Sequence, residues 1–397
     1  MSQTREPPIL RRRKNDLPHD IVLNILTRLP AKSLIRFRCV SKTWDSSITT
    51  SYFISTHLNN LAHNHDNGDG DGDGYIIYMP WDTNSSNRAV CTVAFDRTFD
   101  RIAEVEIPFD FTTGRAQIVG SCNGLLCLAD IGKLTTSKIF IYLWNPSIKK
   151  FKRLPDSCLG QLGLVQLSCV TLGFAYHPEN NDYKVVRISS YPGMKPHLTD
   201  QVEVYTLSSD SWRKIGMSLR ANVMVYVNNF PSPMPVVSGA LHWMARVVED
   251  ECKSDMIVSF DVNSEKFRLL GMPDGSKSIV RFQTCLASLK GKLAFLTFGQ
   301  SERDYHYSMW VMREYGVLES WNQLFVVPLE RISACIGFTM CGWLLIHSVE
   351  SNYQAVKFVL VDTETLHEKD FDIQQPSCVA TFMESLALLD GANTVSY

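Results

Sequence analysis

The stretch VEVYTLSSDSWRKIG, residues 202–216, holds the pattern that decides the fold of this 397-residue chain. It consists of an apolar strand, a polar turn and a return strand that opens on an aromatic residue. The same arrangement occurs at 141–155, at 257–273 and, more weakly, at 358–373. The aromatic residues that open the return strands are 54 to 61 residues apart, and they are Phe151, Trp212, Phe267 and Trp321.

A second repeated feature is a glycine that enters an apolar strand, as in NGLLCLAD and KGKLAFLTF. These glycines are spaced at 49 to 66 residues, and they are Gly124, Gly173, Gly239, Gly291 and Gly342. A period near 50 residues with several strands per unit is typical of a β-propeller blade, whereas a two-sheet sandwich leaves the repeat unexplained. Residues 75–397 are therefore predicted to form a propeller of about six blades. The apolar tail VATFMESLALL, residues 379–389, is expected to supply the strand that closes the ring.

The N-terminal part is predicted to be a small all-α module that precedes this mainly β domain. In LPHDIVLNILTRLP, residues 17–30, the apolar residues recur at helical spacing. Residues 16–53 are expected to form about three short helices, and the module is assigned to 16–58. So short a unit seldom sustains its own core without a staple or a partner, and the sequence shows no metal-ligand spacing or disulfide staple. We therefore expect another polypeptide to supply the missing interior.

Two polar segments flank the helices. Residues 1–15 are predicted to be a basic arm, and the first 50 residues carry ten Lys and Arg against four Asp and Glu. The run from Arg11 to Lys14 is typical either of a nuclear address or nucleic-acid contact or of a solvated arm, and we favour the arm. Residues 59–74 are predicted to be an Asp/Gly-rich linker. Its aspartates resemble half of a calcium loop, but Pro80 stands where the bidentate glutamate belongs, so no metal site is expected.

Whole-chain properties limit the classes of function. A net charge of −2 gives no general attraction to nucleic acid or to a membrane, and the chain begins without an apolar signal core. Eleven irregularly spaced cysteines indicate free thiols and a cytoplasmic or nuclear location, or both. GSCNG, residues 120–124, matches a cysteine version of the nucleophile elbow, but a strand follows it where that motif needs a helix. Cys122 is therefore not expected to be a nucleophile, and the sequence predicts no cofactor and no catalytic activity.

Two groups of motifs resemble a known plant family. The run DLPHDIVLNILTRLPAKSLIRFRCVSKTWDSSI, residues 16–48, resembles an F-box. The stretches VGSCNGLLCL, LWNPSIKKFKRLP, LGFAYHPENNDYKVV and SFDVNSEKF resemble the F-box-associated interaction domain, which is often described as kelch-like. The positions that match the F-box are Leu17, Pro18, Asp20, Ile21, Ile25, Leu29, Pro30, Leu34, Arg38, Val40, Ser41 and Trp44. The sequence contains no Gly-Gly pair, so it departs from the pattern of true kelch repeats.

The resemblance implies a substrate-recognition subunit of an SCF-type cullin–RING ubiquitin ligase. The F-box would bind a Skp-type adaptor, and the β domain would hold a protein target for ubiquitination. The residues expected to bind the adaptor are Leu17, Pro18, Ile21, Ile25, Leu26, Leu29, Pro30, Leu34, Val40 and Trp44. Leu34, Val40 and Trp44, together with Phe37, are expected to divide between this contact and packing inside the module.

The target is expected to bind long connections between strands. The candidates are the connections near 156–168, 191–200, 228–235 and 299–307. Weak candidates for target contacts are Tyr191, Tyr305 and Tyr307, which are equally well explained as loop aromatics folded onto the blades. The alternative function is a propeller enzyme or small-ligand binder that uses the helices only for assembly.

Overall fold

The structure is a computed structural model that describes residues 17–66, 74–80, 89–96, 98–112, 114, 116–130, 139–158, 169–190, 201–219, 223–225, 232–249, 252–274, 280–301, 304–328, 333–349, 356–371, 377–389 and 395–396. The basic arm at 1–15 and residues 67–73 of the predicted linker lie outside the described residues.

The helical module contains four helices in its described part. They are α1 His19–Leu26, α2 Ala31–Phe37, α3 Lys42–Ile48 and α4 Ser51–Asp66. Proline precedes both α1 and α2, where its fixed φ angle suits a helix start, and the Ser41 hydroxyl caps α3 by accepting from the Trp44 N–H at 3.2 Å.

Helix α4 corrects the predicted boundary between module and linker. The prediction of a linker over 59–74 is wrong for 59–66, because α4 continues to Asp66. Phe53, His57 and Leu58 are buried, and the His57 ring contacts the Leu29 carbonyl with Nε2 at 2.9 Å from the oxygen. These tertiary contacts support a helix that the polar composition of 59–66 does not predict.

The remaining described elements form six antiparallel sheets. A single turn of 3₁₀-helix at Leu318–Ser320 precedes β20. In chain order the strands are β1 Tyr75–Pro80, β2 Val90–Phe95, β3 Arg101–Glu106, β4 Ala116–Cys122, β5 Leu125–Asp130, β6 Phe140–Asn145, β7 Lys150–Arg153, β8 Cys169–His177, β9 Asp182–Ser190, β10 Gln201–Thr206, β11 Ser211–Ile215, β12 Val223–Val225, β13 Val236–Val237, β14 Ala240–Glu249, β15 Cys252–Asp261, β16 Phe267–Leu270, β17 Val280–Leu289, β18 Lys292–Ser301, β19 Asp304–Met312, β20 Trp321–Pro328, β21 Ser333–Phe338, β22 Leu344–Val349, β23 Val356–Val361, β24 Glu368–Phe371, β25 Ser377–Phe382 and β26 Val395–Ser396.

The six sheets are the blades of a ring, which confirms the predicted propeller. Blade 1 has the strand order β25-β1-β2-β3, blade 2 β4 to β7 with β26 added at its outer edge, and blade 3 β8 to β11. Blade 4 contains β12 to β16, with β12 and β13 both paired to β14, blade 5 contains β17 to β20, and blade 6 contains β21 to β24. The last long strand, β25, pairs antiparallel with β1, so the tail closes the ring as expected.

The repeated glycines have two different roles. Gly124, Gly239, Gly291 and Gly342 all have positive φ, and they lie in the turns from β4 to β5, β13 to β14, β17 to β18 and β21 to β22, respectively. Gly173 instead lies inside β8, where an added Cβ atom would come within 2.6 Å of the Trp243 ring. Its inclusion among the strand-entry glycines was wrong, because the corresponding turn of blade 3 uses Asn181, with φ of 49°.

The polar turn of the other repeat links neighbouring blades. Lys152 of blade 2 is 2.8 Å from Asp210 in the turn of blade 3, and Lys184 of blade 3 is 2.8 Å from Glu265 in the turn of blade 4. The aromatic residues that open the return strands lie at the start of β7, β11, β16 and β20, as predicted.

Candidate functional site

Four apolar side chains on the helical module face outward. Leu17, Ile21 and Ile25 follow one another at intervals of four residues and are 61%, 45% and 50% exposed, and Val40 is 63% exposed. A spacing of four residues places Ile21 and Ile25 on one face of α1, and Leu17 lies just before the start of that helix. Several large apolar residues exposed within one small module are typical of a surface that a partner covers.

Two residues predicted to bind the adaptor are instead part of the interior. Leu26 is 3% exposed and Leu34 is 0% exposed, so neither presents a surface to a partner, and their assignment is corrected to internal packing. Leu29 and Trp44 are half-buried, and the Trp44 ring meets Phe37 edge-on at 5.8 Å between centroids. Pro18 and Pro30 are exposed beside the helix starts.

The module completes its interior with residues of its own chain. Leu26, Ala31, Leu34, Ile48 and Phe53 share one buried cluster with Ile148, Leu386 and Leu389 of the propeller domain. The argument that a second polypeptide supplies this interior is therefore corrected, because propeller residues supply it. What is left for a partner is the outward face.

The segment 383–389, which follows the closing strand, joins the two parts. We call it the coupling segment. The Glu384 carboxylate accepts a hydrogen bond from the Ala31 N–H at 3.1 Å, and the Asn145 amide donates to the Ser385 and Ala387 carbonyls at 3.0 and 2.9 Å. The sequence reading missed this role, although a tail of eleven apolar-rich residues is longer than one closing strand requires.

The helical module lies on the face of the propeller that carries the short turns. Ile148 occupies the turn from β6 to β7, and Gly124, which abuts the coupling segment, occupies the turn from β4 to β5. Antiparallel strands place these turns at one end of each blade, and the connections from second to third strand at the other. The predicted target loop 191–200 is of the latter kind, because it joins β9 to β10. The prediction of a long connection at 299–307 is wrong, because β18 extends to Ser301 and β19 begins at Asp304.

The three tyrosines proposed for target contact have different outcomes. Tyr307 is 4% exposed and packs in the core between blades 5 and 6, so it is not available to a target and that prediction is corrected. Tyr305 lies in β19 opposite Gln300. Tyr191 lies outside the described residues.

A cavity of about 260 Å³ lies on the axis of the ring. Residues from all six blades line it, including Ser121, Phe174, Ser288 and Thr381, and the segment 232–235 of blade 4 reaches into it. The Met234 N–H donates to the Val119 carbonyl of blade 2 at 3.4 Å across the channel. Its described lining contains apolar groups and hydroxyls but no carboxylate, imidazole, amine or thiol that could transfer a proton.

Cys122 and His242, two side chains of types that can take part in catalysis, have structural surroundings within the blades. Cys122 ends β4 and is followed by a turn and β5, so the strand–turn–helix context of a nucleophile elbow is missing there. Burial raises the pKa of its thiol to about 11, which keeps the group protonated at neutral pH. His242 is fully buried, with Nε2 at 2.8 Å from the Tyr315 hydroxyl of the next blade.

The described residues contain neither a cluster of metal-ligating side chains nor a membrane-spanning helix. Nowhere in those ranges do three or more His, Cys, Asp or Glu side chains come together as metal ligands would. No described helix combines the length and apolar character needed to cross a bilayer.

A helical module with an outward apolar face, held on a six-bladed ring, defines a two-part binding protein. Residues 15–56 match the F-box domain, and residues 91–382 match the family described as the F-box associated beta propeller domain. The chain belongs to this family, whose members with an F-box typically serve as substrate receptors of SCF ubiquitin ligases.

Similar proteins come from Arabidopsis thaliana. F-box protein CPR1 is 29% identical over 329 residues, which cover 79% of this chain and 74% of that protein. F-box/kelch-repeat protein At3g23880 is 28% identical over 329 residues, covering 79% of this chain and 80% of that protein. Both alignments are long enough to include a large part of the propeller.

Proposed function

We propose that this chain is the substrate receptor of an SCF-type ubiquitin ligase, with the outward face of the helical module bound to a Skp-type adaptor. The observation that carries the proposal is the exposure of Leu17, Ile21, Ile25 and Val40 in a module whose interior is already complete. These side chains add little to folding where they stand, whereas each gains about 1.5–3 kcal/mol when a partner buries it. Pro18, Leu29, Pro30 and Trp44 would border that contact.

Exposed basic side chains of the helical module favour an acidic partner. Arg28, Lys32, Arg36 and Lys42 are all exposed on the helices or their connections. Exposed basic groups beside an apolar contact speed association with an acidic surface more than they deepen its affinity. An acidic adaptor therefore fits both features of the module.

The chain would act by proximity and not by bond-making of its own. The helices lie on the short-turn face of the ring, and β9 ends and β10 begins at the opposite face, on either side of the predicted target connection 191–200. A target held there would have its lysines kept near the charged ubiquitin-conjugating enzyme at a high effective concentration. The chemistry would belong to the other subunits of the ligase.

Binding of a purified Skp-type adaptor to the full chain tests this proposal. The double variant Ile21→Asp, Ile25→Asp is expected to lose at least 100-fold in affinity, because two apolar contacts become buried carboxylates. The matched control is Ile102→Asp, since Ile102 lies on strand β3 of blade 1 and is 45% exposed, as Ile21 is. Equal affinity of the double variant and the control, or no binding by the unaltered chain, would overturn the receptor assignment.

A further inference from the structure

We propose that the coupling segment, residues 383–389, is a positioning element that forms part of the F-box in three dimensions. It completes the module's interior and fixes the adaptor-binding face relative to the propeller. The contact geometry stands by itself, and its significance for ubiquitin transfer rests on the proposed function. The F-box sequence match ends at residue 56, more than 300 residues before this segment begins.

Neighbouring side chains of the segment enter two different cores. Leu386 and Leu389 are buried with Leu34 and Ile48 of the helical module. Ala387 and Leu388 are buried instead among residues of blades 2 and 3. The segment is thus packed on both sides, and it ties the helices to the ring through buried apolar contact.

A buried amide holds the backbone of the segment in place. Asn145 is fully buried, and its Nδ2 donates to the carbonyls of Ser385 and Ala387, while its Oδ1 accepts from the Ser147 N–H at 3.0 Å. Both ends of the amide are used, so the side chain is specific for this backbone path. No apolar residue of similar size could replace it without leaving buried carbonyls unpaired.

The turn at Gly124 leaves no space between blade 2 and the segment. An added Cβ atom there would lie 2.5 Å from the Met383 carbonyl and 2.6 Å from the Ser385 hydroxyl. At Gly291 the φ angle is almost the same, +74° against +73°, but nothing lies within 4 Å of an added Cβ atom. The two glycines therefore share a backbone conformation but not a close contact.

The closing strand and the coupling segment are continuous in the chain. β25 ends at Phe382, and Met383 begins the path beneath the helices. Pairing of β25 with β1 therefore positions the residues that follow β25 against the helical module. Those residues are Glu384, Leu386 and Leu389. Seating of the F-box depends on ring closure for this reason.

Hydrogen exchange of the full chain, without adaptor, tests the packing. Leu386→Ala with Leu389→Ala is expected to speed amide exchange in α2 and α3 at least tenfold, because their shared core loses two side chains. Leu388→Ala is the control, since it removes the same atoms as each of the two single substitutions, from the same segment but from the other core. Protection in β17 and β18 reports that the ring remains folded. Unchanged protection of the helices, or equal loss in the control, would overturn the proposal.

Alanine at Gly124 tests the same joint from a distance. Gly124→Ala is expected to expose α2 and α3 to faster exchange at least tenfold, because it displaces Met383 and Ser385. Gly291→Ala should leave their exchange within about twofold, although it imposes the same backbone strain. Equal behaviour of the two variants would contradict a coupling role for 383–389.

A positional readout separates orientation from stability alone. Lysine cross-linking of the full chain should give a narrow set of links from Lys32 and Lys42 to the propeller. In the double variant Leu386→Ala, Leu389→Ala, these lysines should cross-link to a larger number of different propeller residues. In Leu388→Ala the number should stay small. At Glu384, alanine should widen the set and glutamine should largely restore it, since glutamine keeps an oxygen for the Ala31 N–H. If all variants gave the same few cross-links as the unaltered chain, the proposal would be wrong. Adaptor affinity, measured separately, would show failure of the proposed function independently.

Discussion

The helical module and the propeller solve the problem of burying apolar surface in opposite ways. The propeller closes on itself, because β25 pairs with β1 and each blade covers the next. The helical module completes its core with Ile148, Leu386 and Leu389 and still exposes Leu17, Ile21, Ile25 and Val40. The apolar surface left uncovered on a small unit is therefore not a sign of an unfinished core. It is surface in excess of what folding needs.

This difference extends to charged side chains. In the propeller, Lys184 is buried and lies 2.8 Å from Glu265 of the next blade. In the helical module, Arg38 and Asp45 form an ion pair with side chains that are 30% and 48% exposed. Charge in the ring holds blades together, whereas charge on the helices remains near solvent.

The largest difference is expected between two tryptophans. Trp144 is fully buried between blades 1 and 2, so Trp144→Ala should cost about 3–5 kcal/mol of the free energy of unfolding. Trp44 is half-buried, and Trp44→Ala should cost about 1–2 kcal/mol, from its contact with Phe37 and partial burial. Urea unfolding followed by circular dichroism measures both. Similar costs would mean that the module is as tightly packed as the ring.

A smaller difference is expected between two ion pairs. Glu265→Ala leaves the Lys184 ammonium buried with only the Val262 carbonyl as a described partner, so it should cost about 3 kcal/mol. Asp45→Ala breaks a partly exposed pair and should cost about 0.5 kcal/mol. Thermal unfolding at low and high salt provides the check, because only the second effect should shrink strongly with added salt. The reverse order of costs would contradict the division between buried and exposed charge.

The smallest effect is the loss of stability that is expected as the pH falls from 7.5 to 5.5. Burial lowers the pKa of His242 in the propeller to about 4, and burial lowers the pKa of His57 in the helical module. Because these folded values lie below that of the free side chain near 6.5, protons bind the unfolded chain better. The associated stability is complete above pH 6.5 and is lost as the pH falls, by about 1.4 kcal/mol per unit for His242 between 6.5 and 4.

Urea midpoints at pH 7.5, 6.5 and 5.5 measure this loss. His242→Gln should flatten the pH dependence, whatever it does to the absolute stability at pH 7.5. A variant with the same slope as the unaltered chain would show that His242 is not responsible. His57→Gln provides the corresponding comparison in the helical module.

Much of the fold could be read from local patterns. The spacing of Phe151, Trp212, Phe267 and Trp321 marks the outer strands of four successive blades, because each opens the same strand of its unit. Gly173 was wrongly assigned to the strand-entry glycines, since a glycine required for close packing against Trp243 looks in sequence like a glycine required for a turn. About three helices were predicted within residues 16–53, so the fourth helix, α4, was missed, because tertiary contacts and not composition sustain it.

The candidate site was only partly predictable. Helical spacing predicted one face for Leu17, Ile21 and Ile25. Ile21 and Ile25 lie on one face of α1 and are exposed, and Leu17 is exposed just before the helix begins. The same spacing could not separate them from Leu26 and Leu34, because a short amphipathic helix has apolar residues on both sides of its inner face. Two explanations of Tyr307 were open from the sequence, target contact and packing on the blades. The structure supports packing, because Tyr307 is buried in the core between blades 5 and 6.

The two-part architecture, the ring of about six blades and the strand that closes it could be predicted from residue patterns, because repeats and helical periods are local properties of the chain. The position of the helices and the residues that complete their core follow from long-range packing in the folded chain. The hydrogen bond from Ala31 to Glu384 joins residues 353 apart in the chain. Contacts of that range leave no period in a sequence, since they depend on how the ring closes and where its last residues then lie.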